Sequence, residues 1–252
     1  MATSRTAASL AAYVLHQYDW SESSLIVELF TRAQGRVVVA AKGAKRPTSN
    51  FRPVLLPFHP LQVQLGKPPK DEQAEVLNLR SAEWAGGQAL LATAAMYAGF
   101  YLNELLLKLL PRQDAHPALF DAYAATLAAL AEDADEAPTL RAFELVLLRE
   151  LGWLPELDSA TLTGQALAPE GRYALQPEAG VIAHADGLPG AAWVTLEAAL
   201  SQGTTRALQS ACVPVAAALR LPLRTLLHYH LGSQQLRTRD VWQGVVRLVD
   251  SR

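Results

Sequence analysis

The hydrophobic pattern of the chain changes near residue 80. Before that position, short apolar runs rich in β-branched residues alternate with turn-forming glycine, proline and serine. This pattern is typical of β-strands rather than of helices. Five strands are predicted, at Ala11–His16, Leu25–Thr31, Arg36–Ala41, Leu61–Leu65 and Val76–Leu79.

Five short strands within about 70 residues favour a small Greek-key barrel. Closure of the barrel also removes the exposed edges that such short strands would leave. The OB-fold is the commonest barrel of this kind with a nucleic-acid role, and an SH3-like barrel is the main alternative. We therefore expect an OB-fold domain over residues 1–80.

From Ser81 onward, alanine and leucine dominate and the apolar positions recur with the period of a helix. An all-helical domain is expected over residues 81–252, so the fold class is α+β, with the strands first. Proline and glycine interrupt the pattern over residues 153–190, where an irregular inserted hairpin is predicted with strands at Arg172–Leu175 and Gly180–Ala183. The predicted helices are Gln88–Leu110, Pro117–Ala131, Thr139–Leu151, Leu196–Ser201, Thr204–Leu219 (interrupted at Pro214), Leu223–Leu231 and Thr238–Leu248.

The second and third strands form a hairpin that carries a concentrated positive charge. No Asp or Glu falls between positions 32 and 52. A twisted hairpin with a basic exit loop is suited to contacting phosphates, although a solvated strand face is the simpler interpretation on charge alone. The candidate DNA-binding residues are Arg32, Arg36, Lys42, Lys45, Arg46 and Arg52.

The overall charge restricts where nucleic acid could bind. The formal net charge is −2, so a uniformly basic protein is excluded and any such surface is local. Residues 1–80 carry ten Lys/Arg against six Asp/Glu, whereas the remainder carries twelve against eighteen. A basic first domain and an acidic second domain are indicated.

Candidate chemistry is sparse. Cys212 is the only cysteine, which excludes an intramolecular disulfide and a cysteine-based zinc site and fits a reducing cytoplasm; a small buried side chain is its simplest interpretation. No P-loop, G-x-G-x-x-G or G-x-S-x-G motif occurs, so neither an enzyme nor a cofactor is predicted. The uncharged stretch 85–103 is nearly long enough to span a membrane, but its glycines favour a buried central helix.

Four aromatic residues near the basic hairpin could stack on bases. In so small a barrel, Phe30 and Phe58 are expected in the core. Trp20 and Phe51 are predicted in loops, where either exposure or burial is open.

Several short blocks, in order along the chain, resemble the bacterial recombination mediator RecO. In the first domain they are Trp20-Ser-Glu-Ser-Ser-Leu25, Phe30-Thr31, Gly35-Arg36-Val37, Ala41-Lys42-Gly43-Ala44 and Leu56-Pro57-Phe58. In the second they are Tyr97-Ala-Gly-Phe-Tyr-Leu-Asn-Glu-Leu105, Arg141-Ala-Phe-Glu-Leu-Val-Leu-Leu148, Leu151-Gly152, Leu231-Gly232 and Leu236-Arg-Thr-Arg239. Each block is weak alone, but together they span nearly the whole chain.

The resemblance implies a non-enzymatic protein that binds single- and double-stranded DNA and anneals complementary strands. The implied partners are RecR and the C-terminal tail of the single-strand binding protein SSB, with RecA loaded indirectly, in the cytoplasm at the nucleoid. Many members of the family carry two C-x-x-C pairs in the inserted hairpin. The corresponding positions here hold Ala160, Thr163, Ala183 and Asp186, so the chain resembles the zinc-less branch and no metal is expected.

The resemblance also suggests a site for the acidic SSB tail, which needs a cation beside an apolar notch. Arg141 lies in the family's third-helix block and is the favoured cation, whereas Arg149 is interpreted as an ordinary helix charge. The apolar face offered with it consists of Phe143, Leu147 and Leu148. Glu144, three residues after Arg141, could instead occupy the guanidinium.

A second hypothesis comes from a different functional class. The barrel could bind a protein partner, with the cations only solubilising, which would make the chain an interaction adaptor. A steep salt dependence of binding would separate phosphate contacts from this alternative.

Overall fold

The computed structural model describes residues 9–67, 75–87, 90–232 and 236–238. Five strands close into a barrel in the order β1-β2-β3-β5-β4, in which β3 and β5 are parallel and the other pairs are antiparallel. This is the strand order of an OB-fold, so the predicted fold class is confirmed. The strands are β1 Leu10–Asp19, β2 Leu25–Thr31, β3 Gly35–Ala41, β4 Leu61–Leu65 and β5 Val76–Trp84.

Two strands extend beyond their predicted bounds. β1 continues to Asp19, and β5 continues to Trp84, four residues past the boundary expected at residue 80. Both extensions carry exposed polar side chains, such as Glu83, that hide the strand pattern in the sequence. They are held by backbone pairing, as where Glu83 pairs with Gln62 across the sheet.

The rest of the described chain is mainly helical. A short 3₁₀ turn at Val213–Val215 links the last two helices, and a three-stranded sheet in the order β7-β6-β8 forms the inserted hairpin. The helices are α1 Thr93–Leu109, α2 Pro117–Ala131, α3 Glu136–Glu150, α4 Gly190–Ser201, α5 Thr205–Cys212 and α6 Ala216–Leu231. The added strands are β6 Arg172–Gln176, β7 Gly180–Ala183 and β8 Leu188–Pro189.

Several helix predictions were wrong in detail. α3 and α4 begin earlier than predicted, at Glu136 and Gly190. α1 begins at Thr93, later than predicted, and the predicted break near residue 220 is absent because α6 continues through Pro222. Proline removes one helical hydrogen bond, but Leu219, Leu223 and Leu226 on either side of it are buried together and keep the helix continuous. The predicted tail helix, apart from Thr238, lies outside the described residues.

A second hydrophobic core joins the barrel to the helices. One core fills the barrel interior, whereas the other begins on the outer face of the barrel and extends through the helical domain. Phe30 and Phe58, expected in the core, belong to this second cluster, and Phe30 has no exposed surface. The rings of Tyr13 and Phe30 lie 5.4 and 5.3 Å from that of Phe120 on α2. The two domains are therefore packed as one body.

Asn103 on α1 makes the central polar contact of this junction. The register of β1 shifts between Val14 and His16, which marks a bulge. The Asn103 amide donates to the carbonyls of Val14 and Leu15 at 3.4 and 3.0 Å, and its oxygen accepts from the Tyr123 hydroxyl at 2.5 Å. All these groups are buried, so one side chain satisfies the bulge and a helix hydroxyl at once.

Two glycines permit the closest approaches between barrel and helices. A Cβ on Gly99 of α1 would lie 2.8 Å from the Phe58 ring. At Gly35, in the β2–β3 turn, φ is +65° and a Cβ would overlap the Asp114 carbonyl. Any side chain at either position would push the helices away from the barrel.

One helical stretch of the described residues, Thr205–Leu231, is long and apolar enough to cross a membrane by length and composition alone. Leu208, Leu219 and Leu223 of this stretch are buried among the other helices, whereas Val213, Leu221 and Tyr229 are exposed. Cys212, in the same stretch, is fully buried, and burial raises its thiol pKa to about 12. The expected small buried side chain at Cys212 is confirmed.

We predict that replacing Asn103 with alanine destabilises the protein by about 3 kcal/mol, because two strand carbonyls and the Tyr123 hydroxyl lose their buried partner. The free energy of unfolding in urea measures the loss. The control is Asn78→Ala on the exposed face of β5, for which we expect a change of about 0.5 kcal/mol or less. Equal effects of the two substitutions would contradict the role assigned to Asn103.

Candidate nucleic-acid interface

The six candidate DNA-binding cations divide between the two ends of the β2–β3 hairpin. Leu25 pairs with Ala41 at one end of the hairpin, and Thr31 pairs with Gly35 at the turn. The structure therefore does not bring the six side chains together. Arg32 and Arg36 lie at the turn, whereas Lys42, Lys45, Arg46 and Arg52 follow the opposite end.

The two arginines at the turn bind the helical domain. Arg32 donates from Nε and Nη2 to both carboxylate oxygens of Asp121 at 2.8 Å, and this hydrogen bond lowers the pKa of Asp121. Arg36 donates to Glu28 at 3.3 Å and to the Leu110 carbonyl at 3.1 Å. Both guanidinium groups already have acceptors, so their direct role in the structure is to join the two domains.

Glu28 organises this turn and was not singled out in the sequence. Its side chain is buried within β2, where it accepts from Arg36 and, at 3.1 Å, from Arg112; Arg112 also bonds Glu75. A buried carboxylate requires such partners to offset its desolvation. In the sequence, the buried ion pair is indicated only by one acidic residue, Glu28, within an otherwise apolar strand.

At the opposite end, two loops form one continuous surface. The backbone N–H of Lys45 donates to the Ser23 carbonyl at 3.0 Å, and that of Gly43 donates to the Ser24 hydroxyl at 3.2 Å. The Lys45 ammonium bonds the Ser21 carbonyl at 3.0 Å and Asp19 at 2.7 Å. These bonds tie the β1–β2 loop to the segment after β3, so the two segments are held together at one end of the barrel.

This surface, which we call the open-end patch, consists of Trp20, Lys42, Lys45, Arg46 and Arg52. Within the described residues, Lys42, Arg46 and Arg52 form no salt bridge, and all three are exposed. Trp20, whose exposure was left open by the sequence, is 56% exposed. The patch therefore combines unneutralised cations with an accessible aromatic ring.

A cavity of about 300 Å³ opens beside the patch. Phe51, whose exposure was also left open, is half-buried and lines it. The cavity is lined by Gln17, Leu25, Ala44, Lys45, Phe51, Arg52, Leu55 and Leu56.

The structure places the predicted tail-binding residues largely in the helical core. Phe143, Leu147 and Leu148 have no exposed surface, since α3 is surrounded by the other helices. Arg141 donates to Glu144 at 2.8 Å, which is the local ion pair anticipated as the alternative. Burial raises the pKa of Glu144. A ligand at Arg141 must therefore compete with Glu144 and cannot reach the three apolar side chains without opening the helix packing.

Arg149, on the same helix, has a structural role. It donates to both oxygens of Glu197 on α4 at 3.1 and 2.6 Å, and to the Pro155 carbonyl at 3.1 Å. Glu197 also accepts from the Leu157 backbone N–H at 2.8 Å. This network fixes the start of the inserted hairpin against α4.

Of the four positions that correspond to zinc ligands, Ala160, Thr163 and Asp186 lie at two tight turns, and Ala183 is the last residue of β7. Thr163 and Gly164 donate backbone hydrogen bonds to the Ala160 carbonyl at 3.1 and 2.8 Å. The second turn, which contains Asp186, closes when Gly187 donates to the His184 carbonyl at 3.0 Å. Both turns thus keep a defined shape through backbone bonds.

These residues do not fit a zinc ion. The alanines at 160 and 183 have no ligand atom, and the described residues contain no group of three or more His, Cys, Asp or Glu side chains that could hold a metal. Thr161 instead links the first turn to β7: its N–H donates to the Val181 carbonyl at 2.9 Å, and its hydroxyl accepts from the Val181 N–H at 2.8 Å.

Comparison with known proteins supports the family resemblance over both domains. The family model "Recombination protein O N terminal" matches residues 6–85, and "Recombination protein O C terminal" matches residues 92–240. The chain belongs to the RecO family of DNA repair proteins. The "DNA repair protein RecO" of Variovorax paradoxus is 48% identical to this RecO-family chain, with 98% of the chain and 100% of the relative covered.

Other curated RecO proteins are equally similar. The "DNA repair protein RecO" of Polaromonas naphthalenivorans is 51% identical, with 91% of this chain and 93% of the relative covered. That of Verminephrobacter eiseniae is 49% identical, with coverages of 96% and 97%. The RecO resemblance inferred from short blocks is confirmed along nearly the entire chain.

We predict that this RecO-family protein binds no stoichiometric zinc and that a chelator leaves its melting temperature unchanged, because backbone bonds and Thr161 close the hairpin. Elemental analysis of the purified protein and thermal unfolding with and without chelator measure both quantities. Thr161→Val, which removes the bond to Val181, should lower the melting temperature. One zinc per chain would contradict the prediction.

Proposed function

We propose that this RecO-family chain is a non-enzymatic recombination mediator that binds and anneals single-stranded DNA through the open-end patch. The observation that carries the proposal is the set of three exposed cations, Lys42, Arg46 and Arg52, beside the exposed ring of Trp20. OB-folds bind oligonucleotides on the face of β2 and β3 and on the loop between β1 and β2. Trp20 of the patch lies in the β1–β2 loop, and the four cations lie in the segment that follows β3, which is bonded to that loop.

The electrostatics favour contacts to the phosphate backbone. Phosphate contacts carry no sequence information, so a patch of this kind can hold any strand. Since the cations contact the phosphates of the DNA strand, the edges of its bases stay available for pairing with a complementary strand. This is the requirement for annealing, and it needs no catalytic group.

The proposed partners follow from the family. We propose that the protein contacts RecR and the C-terminal tail of SSB, and so helps load RecA on SSB-coated DNA in the cytoplasm. Double-stranded DNA is a further proposed ligand, because the cations of the patch contact phosphates irrespective of pairing.

A second candidate is an adaptor whose barrel binds a protein. It is favoured by the exposed aromatic surface at the end of β5, where Trp84 is 58% exposed and its ring lies 5.1 Å from that of His59. Exposed apolar groups of this kind commonly mark protein contacts. A DNA affinity that hardly changes with salt would favour this second function.

We predict that Lys42→Ala, Arg46→Ala and Arg52→Ala together weaken binding to single-stranded DNA without unfolding the barrel. Lys45 is retained because it joins the two loops. The slope of log affinity against log salt should become shallower by about 2, at about 0.7 per lost phosphate contact. Fluorescence anisotropy with a labelled oligothymidylate at several salt concentrations measures the slope.

The matched control removes three exposed arginines from the helical domain, Arg206, Arg220 and Arg224. This variant loses the same net charge, so its DNA affinity should stay within about twofold of the parent if only the patch binds. A larger loss in the control than in the patch variant would move the DNA surface to the helices.

For the SSB tail, we predict opposite effects of two substitutions in one ion pair. If Arg141 receives the terminal carboxylate, Arg141→Gln should abolish binding of a tail peptide, whereas Glu144→Gln should strengthen it by freeing the guanidinium. Anisotropy of a labelled peptide measures both, and circular dichroism checks the fold. The control is Arg220→Gln on the exposed face of α6. Unchanged affinity in the Arg141 and Glu144 variants would place the tail elsewhere.

A further inference from the structure

We propose that the cavity beside the open-end patch is a subsite for one unstacked nucleobase, which packs on Phe51 while Arg52 contacts a flanking phosphate. The inference rests on the proposed DNA-binding function and extends it, because it assigns the cavity to single strands. A base inside a duplex is stacked and paired, so it can reach the subsite only after leaving the helix.

The size and lining of the cavity fit a small flat group. Its volume of about 300 Å³ lies at the lower end of ligand pockets. Leu25, Leu55 and Leu56 provide apolar walls around the Phe51 ring. An apolar, aromatic-lined space favours the face of a base, and stacking of this kind tolerates any sequence.

The polar groups of the cavity lie where a nucleotide would need them. Lys45 and Arg52 both line the cavity. The Lys45 ammonium is held by Asp19 and Ser21, whereas the Arg52 guanidinium has no ion pair within the described residues. The Gln17 side-chain N–H₂ donates to the Leu55 carbonyl. Within the part of the chain that the structure describes, one further N–H and the amide oxygen of Gln17 have no partner. They remain for the edge of a base, which carries both donors and acceptors.

The loop that carries Phe51 is ordered by its own hydrogen bonds. The Leu55 and Val54 N–H groups donate to the Phe51 carbonyl at 2.9 and 3.1 Å, and the Phe51 N–H donates to the Ser49 hydroxyl at 3.2 Å. The ring also packs on the barrel core. Its position is thus set before a ligand arrives, which lowers the entropic cost of binding.

The experiment compares Phe51→Leu with Phe51→Tyr, since leucine keeps apolar volume but has no aromatic face. The probes are an oligothymidylate, an abasic oligonucleotide of the same length, and a duplex. Phe51→Leu should weaken binding of oligothymidylate about tenfold, from the stacking contribution of one base, and leave the abasic strand and the duplex unchanged. Phe51→Tyr should behave as the parent. The control is Phe100→Leu on α1, where the ring is also partly exposed.

The parent protein provides a test that needs no variant. It should bind oligothymidylate about tenfold more tightly than the abasic strand of equal charge. Equal affinities would overturn the subsite, and so would equal weakening of all three probes by Phe51→Leu. If these results occurred with a steep salt dependence, the proposed DNA-binding function would stand and only the subsite would fail. Failure of the parent to bind any probe would overturn both.

Discussion

The packing of the barrel against α1 and α2 is the constraint on which the rest of the structure depends. An OB barrel of this size has an interior core of its own, but here the outer face of β1 and β2 is also buried. That face can exclude water only because Asn103 donates hydrogen bonds to the two carbonyls at the β1 bulge. Because burial leaves no water to replace a missing partner, α1 has little freedom to shift along the barrel.

This constraint explains why the cations of the hairpin have different roles. The turn faces the helices, so Arg32 and Arg36 are used in bonds to Asp121, Glu28 and the α1 terminus. The opposite end faces solvent, where Lys42, Arg46 and Arg52 are exposed and form no salt bridge with any residue that the structure describes. A single strand pair, fixed in register, thus separates an end that contacts the helices from an end that is open to solvent.

The sequence predicted those parts of the fold that depend on local pattern. β2 and β4 and helix α2 lie at their predicted bounds, because periodicity and Pro117 define them without help from tertiary contacts. The extent of β5 and the continuity of α6 through Pro222 could not be predicted, since partners distant in sequence stabilise both.

The candidate site was predictable in composition but not in arrangement. The run of positive charge identified the hairpin, yet the pattern could not show that Asp121, 89 residues from Arg32, would neutralise one end. Similarly, the sequence predicts an exposed apolar helix face at Phe143, Leu147 and Leu148. In the structure, α2, α5 and α6 pack around α3 and bury this face. Which face of a helix stays exposed depends on its neighbours and not on its own period.

The inserted hairpin has a consequence for the chemistry of repair. Zinc-thiolate clusters are attacked by peroxides, since thiolates are the side chains that oxidants modify first. Here the corresponding turns close through Thr161 and backbone bonds, and the single thiol in the chain is buried, with a pKa of about 12. A protein built in this way offers almost no thiolate to an oxidant, and its inserted hairpin contains no cysteine that an oxidant could modify.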